Sequence, residues 1–217
     1  MKRFEIITEV DARALTPGDV VELSRGGHIT PLAKDTLKER RVTVVHEGRT
    51  AESDAALAPV ADIRRLAIAS DHTGVPLRRA LTVFLRGRGL AVDDLGTDGT
   101  GPVDYPDVAA GVARKVARGE ADAGIVIDGS GIGSAIAANK VAGVRASMAT
   151  TETMARYSRE HNGANVLTLG ASLVSVEEAK AIVSAWLSTP MRDPAHIRRL
   201  AKVRELERSN SGGGAPV

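Results

Sequence analysis

The chain has 217 residues, enough to bury the core of one large domain or two small ones. Its 29 lysines and arginines balance 27 acidic residues, and 43% of the residues are hydrophobic. This composition excludes a disordered chain and argues against nucleic acid as a partner, because there is no large positive charge. No apolar run approaches the ~20 residues that span a bilayer, and the first residues lack the apolar stretch of a signal peptide. We therefore predict a cytoplasmic protein without a membrane partner.

Two kinds of residue are scarce. The chain has no cysteine, and its aromatic residues are one tryptophan, two tyrosines and two phenylalanines. Without cysteine, disulfides, thiolate nucleophiles and cysteine-bound zinc are excluded. With so few aromatic rings, the core must be built from alanine, valine, leucine and isoleucine, which suits a parallel sheet covered by alanine-rich helices.

Residues 1–50 are predicted to form a small α+β module. The pattern indicates strands at 19–23 and 42–46, a turn at 24–28 and a helix at 31–41. About fifty residues bury little apolar surface by themselves, so we expect this module to pack on the main domain or on another chain.

The segment 51–63 is predicted to be a linker, because it is rich in small and acidic residues and shows no sustained period. It separates the small module from a main domain at 64–208. The last residues, 209–217, have little apolar surface to bury and are predicted to form a disordered tail.

In the main domain, strands and helices alternate. The first unit is an apolar run at 66–69 that ends at Ser70, followed by a helix that begins at Pro76 and has apolar residues every three or four positions. Further strands are predicted at 90–95, 124–127, 144–149 and 166–169, and further helices at 105–118, 132–140, 152–160, 176–187 and 194–208. This alternation predicts right-handed crossovers and a three-layer, Rossmann-like α/β domain with a five-stranded parallel sheet.

Polar clusters adjoin the predicted strands, at 70–74, 104–107, 128–134 and 161–165. In a parallel sheet, ligands bind beyond the carboxyl ends of the strands, so we expect these clusters to converge on one edge. The most informative cluster is the glycine-rich loop at 128–134, whose amides could hold an oxyanion or a phosphate. Its G-x-G-x-G spacing and its lack of a Walker lysine argue against a nucleotide site.

Residues 65–206 resemble ribose-5-phosphate isomerase type B and the related galactose-6-phosphate isomerase subunits. The resemblance rests on the segments 70–74, 103–107, 129–133 with 137–140, and 158–162 with 164–167. It implies isomerisation between a phosphorylated aldose and ketose through an enediolate, without a metal or another cofactor. It also implies a homodimer, or a dimer of dimers, whose active sites lie between subunits.

The resemblance gives ribose 5-phosphate and ribulose 5-phosphate, of the pentose phosphate pathway, as the leading substrate pair. Two alternatives stay open at this point. One is an isomerase for another sugar phosphate of four to six carbons, and the other is a non-catalytic relative that binds a sugar phosphate or serves as a scaffold.

The same resemblance implies roles for individual residues. His161 opens the sugar ring with help from Ser130, and Asp128 stands where many members carry a cysteine that acts as the base. The residues implied for substrate binding are Asp71, His72, Tyr105, Gly129, Gly131, Gly133, Asn162 and Arg199. Of these, the asparagine and the loop amides would stabilise the enediolate, and the arginine would bind the phosphate. His196 on the last helix is a further candidate for the phosphate side.

Three positions depart from the family pattern. Asp128 replaces the usual cysteine, Ser134 stands where other members carry a glutamate base, and Ala195 replaces one of two phosphate-binding arginines. We predict that Asp128 is the base, since a desolvated carboxylate can take a proton next to a carbonyl if burial raises its pKa above ~3.9. The alternative is that Asp128 only caps the following helix. Arg192 and Arg198 are close enough in sequence to replace the missing arginine.

Residues 4–48 are similar to a short module found at the ends of enzymes associated with bacterial microcompartments. The similarity rests on the segments 6–9 and 26–35. It implies that residues 1–50 recruit the enzyme to such a compartment, and an additional dimer surface is the alternative.

Overall fold

The computed structural model describes residues 2–46, 57–99 and 101–211. The chain divides into two compact units, Met1–Ala55 and Ala56–Val217. Within the described ranges, no helix combines the length and the apolar character needed to cross a bilayer.

The N-terminal unit alternates strands and helices. Its elements are β1 (Lys2–Ile7), α1 (Glu9–Ala14), β2 (Val20–Ile29), α2 (Pro31–Glu39) and β3 (Thr43–His46). The three strands are parallel and lie in the order β1-β2-β3. Side chains that include Ile7, Leu15 and Leu23 form a buried core within this unit.

This unit differs from the sequence prediction in two places. Neither β1 nor α1 is predicted, and the turn predicted at 24–28 is wrong, because these residues lie inside β2. Phe4 of β1 is paired with Leu23, whereas Ile6 is paired with His28, so the intervening residues bulge out of the ladder. Gly26 has a φ of +80°. The glycines therefore mark a bulge in one strand rather than the end of a strand.

The C-terminal unit contains the remaining strands and helices. They are β4 (Arg65–Ser70), α3 (Val75–Gly87), β5 (Ala91–Asp94), α4 (Tyr105–Ala117), β6 (Ala123–Asp128), α5 (Ile132–Ala138), β7 (Ala146–Met148), α6 (Glu152–Glu160), β8 (Val166–Gly170), α7 (Val176–Ser188) and α8 (Pro194–Ser211). All five strands are parallel, in the order β5-β4-β6-β8-β7. This arrangement confirms the predicted α/β domain. The strand order reverses between β4 and β6, which opens a crevice at their carboxyl ends.

The two faces of this sheet are packed differently. On one face, leucines and isoleucines of β4, β6 and β8 contact α3, α6 and α7, and the single tryptophan, Trp186, is fully buried there. On the other face, mostly alanines and valines contact α4 and α5. A Cβ atom on Gly124 would lie 2.5 Å from Cγ1 of Val112, so a glycine is needed for this close approach of α4.

The predicted linker and tail overlap ordered elements. Of the linker at 51–63, residues 51–56 lie outside the described residues, whereas 57–63 belong to the C-terminal unit and are hydrogen-bonded to it. Helix α8 continues to Ser211, so the first three residues of the predicted tail are helical, and 212–217 lie outside the described residues.

Candidate active site

The glycine-rich loop follows β6 at the reversal of strand order and is organised around Asp128. Oδ1 of Asp128 accepts hydrogen bonds from the amides of Ser130, at 2.8 Å, and of Gly131. Oδ2 accepts from the amide of Ser134, at 2.9 Å, and from its hydroxyl. Gly131 has a φ of +78°, and a Cβ atom there would lie 2.8 Å from the carbonyl carbon of Leu169. Only glycine fits this position.

These contacts argue against the prediction that Asp128 is the base. Burial raises the pKa of Asp128, but the hydrogen bonds from Ser134 and the loop amides lower it by more, so it lies below the usual value. A carboxylate has about four lone-pair positions, and the loop occupies all of them. Asp128 therefore fixes the loop at the start of α5, which is the alternative role that the sequence leaves open. The amide of Gly131 donates to Asp128 as well, which argues against the prediction that this amide binds a substrate.

Asp71 follows β4 and lies in the adjacent part of the crevice. Its Oδ1 accepts hydrogen bonds from the amide and hydroxyl of Thr73, at 2.9 and 2.6 Å, and from the amide of Gly74, at 3.2 Å. No residue within the described ranges donates a hydrogen bond to Oδ2, and the residue is 6% exposed. Asp71 is thus anchored through one oxygen, while the other is available to a ligand.

His72 and Tyr105 complete this edge of the sheet. The amide of Val103 donates to Nδ1 of His72 at 3.3 Å, so the neutral ring carries its proton on Nε2. The ring of Tyr105 lies against the loop, since a Cβ atom on Gly133 would be 2.7 Å from it. The structure therefore brings Asp71, His72, Tyr105 and the glycine-rich loop together, as the sequence predicts for these residues.

Arg78 supports this edge and has no role in the sequence analysis. Its side chain is 1% exposed, and its guanidinium is paired with Asp94, at 3.2 Å, and with Asp98, at 2.8 Å. It fills the space beside Gly96, so it fixes the loop that follows β5 and leads towards Tyr105. The sequence contains a signal for this role, because Arg78 is three residues before Leu81 and seven before Leu85, on the buried face of α3.

His161 and Asn162 lie at the opposite edge of the sheet. Helix α6 begins beyond the carboxyl end of β7 and runs back to the strand starts, where His161 follows its last residue. The carbonyl of Asn165 accepts from the amide of Gly124, at the start of β6, whereas Asp128 is at its end. A strand of this length spans roughly 17 Å. The expectation that all polar clusters converge on one edge is therefore wrong, because the cluster at 161–165 precedes its strand.

Three rings are stacked at this second edge. The ring centroids of Tyr157 and His161 are 4.6 Å apart with an interplanar angle of 18°, and those of His161 and His196 are 4.6 Å apart at 32°. Nη1 of Arg199 lies 2.7 Å from Nδ1 of His196. The imidazole of His161 therefore contacts two other rings, and one of these, His196, is in contact with the predicted phosphate-binding arginine. Sequence reasoning misses Tyr157, although its spacing of four residues from His161 predicts a shared helix face.

The basic residues of this edge face solvent. Arg192, Arg198 and Arg199 are exposed. Arg192 lines a cleft of about 610 Å³ together with Glu160 and Asp193. Ala195, which replaces the second arginine, is half-buried at the start of α8, and its amide donates to Asp193 at 2.7 Å. Of the two possible replacements for the missing arginine, Arg192 is the one that lines a cleft beside the residue preceding His161.

Comparison with known proteins gives one consistent result. A family profile described as Ribose/Galactose Isomerase matches residues 66–203. Ribose-5-phosphate isomerase B of Escherichia coli is 41% identical over 145 residues, which is 67% of this chain and 97% of the relative. D-erythrulose-4-phosphate isomerase of Pectobacterium atrosepticum is 36% identical over 144 residues, or 65% of this chain and 94% of the relative. The structure of Clostridium thermocellum ribose-5-phosphate isomerase B is similar with a TM-score of 0.66 and 46% identity, covering 67% of this chain and 99% of that one.

Proposed function

The chain belongs to the ribose/galactose isomerase family, and we propose that it interconverts a phosphorylated aldose and the corresponding ketose through an enediolate. The observation that carries this proposal is the family match over residues 66–203, which contains both the glycine-rich loop and His161. Ribose 5-phosphate and ribulose 5-phosphate are the leading pair, supported by the E. coli relative at 41% identity. The P. atrosepticum relative, named for a four-carbon sugar phosphate, supports the alternative that the substrate is shorter.

Ring opening is assigned to His161 and stabilisation of the enediolate to the loop. The side chain of His161 is 40% exposed although its ring is stacked, so it can reach a sugar ring oxygen and transfer a proton to it. Within the described contacts, the amides of Gly129 and Gly133 have no acceptor, and they can donate to a developing oxyanion. The hydroxyl of Ser130 accepts from the amide of Ile132 at 3.3 Å and keeps its own proton for a substrate oxygen.

We assign the transfer of the carbon-bound proton to Asp71 instead of Asp128. The oxygen Oδ2 of Asp71 has free lone pairs, while Oδ1 holds the side chain in place through Thr73 and Gly74. A positioned carboxylate with one unoccupied oxygen is suited to proton transfer. Asp128, with both oxygens occupied, is not.

This assignment is tested by exchange of the substrate proton with deuterated water. Asp71→Asn keeps an oxygen for the Thr73 and Gly74 amides and removes the basic carboxylate, so exchange at the carbon next to the carbonyl should stop. Asp128→Asn is the control, and it should retain measurable exchange while losing thermal stability. Exchange at the parental rate in Asp71→Asn would contradict the assignment.

We further propose that the active enzyme is a homodimer with two composite sites. One chain carries Asp71 and the glycine-rich loop at the carboxyl edge of its sheet and His161 and Arg199 at the other edge. Since proton transfer and ring opening act on one small sugar, the two groups of residues must meet across two chains. The carboxyl edge of one subunit would then contact the opposite edge of its partner, here called the histidine edge because it carries His161.

The isomerase activity itself is tested by a direct assay of the purified full-length chain. We expect ketose to form from ribose 5-phosphate or from a four-carbon aldose 4-phosphate. A non-catalytic binder would instead be stabilised against heat by these compounds without forming product, and that result would overturn the proposal.

For the N-terminal unit we propose recruitment to a bacterial microcompartment. Two observations support a separate role, namely its own buried core and its position outside the family match. A fusion of residues 1–50 to a fluorescent protein should form foci in cells that assemble such compartments. Diffuse fluorescence in those cells, with a compartment enzyme as the positive control, would favour the alternative of an additional dimer surface.

A further inference from the structure

Two arginines, the buried Arg159 and the half-buried Arg145, connect the loop that carries His161 to a segment outside the family match. Arg159 is 0% exposed and precedes the catalytic histidine by two residues. Its Nη1 donates to the carbonyl of Ala164 at 2.9 Å, and its Nη2 donates to the carbonyl of Val60 at 2.7 Å. One guanidinium therefore joins the loop at 161–165 to the chain before β4.

Arg145 makes the same kind of connection a few residues away. Its Nε donates to the carbonyl of Gly163 at 2.8 Å, and its Nη2 donates to the carbonyl of Leu57 at 3.0 Å. Gly163 has a φ of +57°, and a Cβ atom there would lie 3.3 Å from Cδ of Pro59. The segment 57–60, here called the strap, therefore lies directly against the turn that follows Asn162.

The two arginines depend on the strap for part of their hydrogen bonding. A buried guanidinium loses its water and needs acceptors from the protein. Burial, together with the like charge of Arg145, lowers the pKa of Arg159 to about 10. Each arginine has one described carbonyl acceptor in the strap and one in the loop at 161–165. Without the strap, each would have to turn towards another acceptor and would pull on the loop.

We propose that the strap, residues 57–60, is a positioning segment that holds His161 and Asn162 in their catalytic orientation through Arg145 and Arg159. The family profile begins at residue 66, so the strap lies outside the matched region. The inference rests on the proposed isomerase function for its catalytic part. Its structural part, the immobilisation of the loop, can be measured without turnover.

The test uses the full-length chain with the strap made flexible. The variant carries Leu57→Gly, Ala58→Ser, Pro59→Gly and Val60→Ser, which keeps the length and removes the proline and the apolar side chains. The matched control carries Ala51→Gly, Glu52→Ser, Ser53→Gly and Asp54→Ser. The single variant Pro59→Gly serves as the milder change if the fourfold variant does not fold.

Hydrogen exchange is the first readout. The amides of Gly163 and Ala164 are hydrogen-bonded to the carbonyls of Arg159 and Ser158, so their exchange reports directly on the loop. We expect these two amides to exchange at least about tenfold faster in the strap variants than in the control, while the amides of β4 and β6 are unchanged. Equal exchange in the strap variants and the control would overturn the proposal.

The second readout separates positioning from a purely structural role. We expect kcat to fall by about tenfold with little change in KM, because the reacting groups are displaced while the phosphate site is kept. An unchanged kcat together with a lower melting temperature would reduce the strap to a stabilising contact and overturn its catalytic part. If the parent chain turns over no sugar phosphate, the proposed function fails, and the exchange measurement still decides whether the strap holds the loop.

Discussion

The two edges of the five-stranded sheet are built in opposite ways. At the carboxyl edge, hydrogen bonds to Asp71 fix the loop after β4, and buried hydrogen bonds to Asp128 fix the glycine-rich loop. Thr168 adds a bond of 2.7 Å to the carbonyl of Gly131. At the other edge, His161 is held by two rings and remains 40% exposed on its side chain. Fixed amides and carboxylates can orient a reactive carbon, whereas a stacked ring can still adjust to a partner chain.

This contrast supports the proposal that one chain carries two half sites. At the carboxyl edge, the loops around Asp71 and Asp128 are fixed by hydrogen bonds within their own chain, so this arrangement does not depend on a partner. The side chain of His161 is 40% exposed, and the ring stack lies at the edge of the sheet where the strands begin, whereas Asp128 lies at the end of β6. We therefore interpret the carboxyl edge as the receiving half and the histidine edge as the half that completes a neighbouring site.

The largest expected effect comes from removing His161, to which we assign ring opening. A five-carbon aldose 5-phosphate forms a furanose ring, whereas a four-carbon aldose 4-phosphate cannot, because its C4 oxygen is esterified. His161→Ala should therefore lower kcat on ribose 5-phosphate by about a hundredfold to ten-thousandfold and leave turnover of the open-chain substrate much less affected. Steady-state rates with both substrates check this prediction. An equal loss on both would assign His161 to the enediolate step instead.

Loss of the Ser134 hydroxyl, in contrast to a change at Asp71, should act mainly on stability. Ser134→Ala removes a buried hydroxyl that donates to Asp128, which should lower the free energy of unfolding by about 1–3 kcal/mol. Denaturant unfolding measures this loss, with Ser209→Ala on the exposed end of α8 as the control. A variant as stable as the parent would contradict the role of Asp128 as the organiser of the loop.

The contribution of Asp128 to the free energy of unfolding should depend on pH. The folded pKa of Asp128 lies below its unfolded value, so its contribution to stability is present above about pH 4 and is lost as the pH falls through the folded pKa. The difference in unfolding free energy between the parent and Asp128→Asn should therefore shrink below about pH 4. Unfolding curves between neutral and acidic pH check this, and a constant difference would show that the folded pKa is not lowered.

The smallest expected effect lies in the ring stack. Tyr157→Leu removes one face of the contact with His161, which is worth about 0.5–1.5 kcal/mol, so kcat on ribose 5-phosphate should fall about threefold to tenfold. Tyr157→Phe keeps the ring and should retain parental kcat. If the leucine variant also keeps the parental rate, the stack does not orient the imidazole.

Much of the fold follows from the sequence because the signals are local. The predicted helix at 152–160 matches α6, which Thr151 caps through the amide of Met154. The five parallel strands follow from their regular alternation with helices. In contrast, the glycines at 26 and 27 indicate a change of direction without showing that the chain returns to the same neighbouring strand.

The site is less predictable because it depends on contacts that are distant in sequence. The residue types of Asp71, His72, Asp128 and His161 mark functional loops, but only the direction of α6 separates His161 from the others. The hydrogen bonds that occupy Asp128 depend on distances that the sequence does not contain. The strap supplies backbone carbonyls, which leave no signature in residue type.

The central claim, that each active site combines the carboxyl edge of one chain with the histidine edge of another, is tested most directly by complementation. Asp71→Asn damages the first edge and His161→Ala the second, so each variant alone should be nearly inactive on ribose 5-phosphate. After the two are mixed and reassembled, half of the dimers contain both chains, and each of these has one intact site, which predicts about a quarter of the parental activity. A mixture that stays as inactive as its components would place both edges' residues in one chain's site and contradict the account.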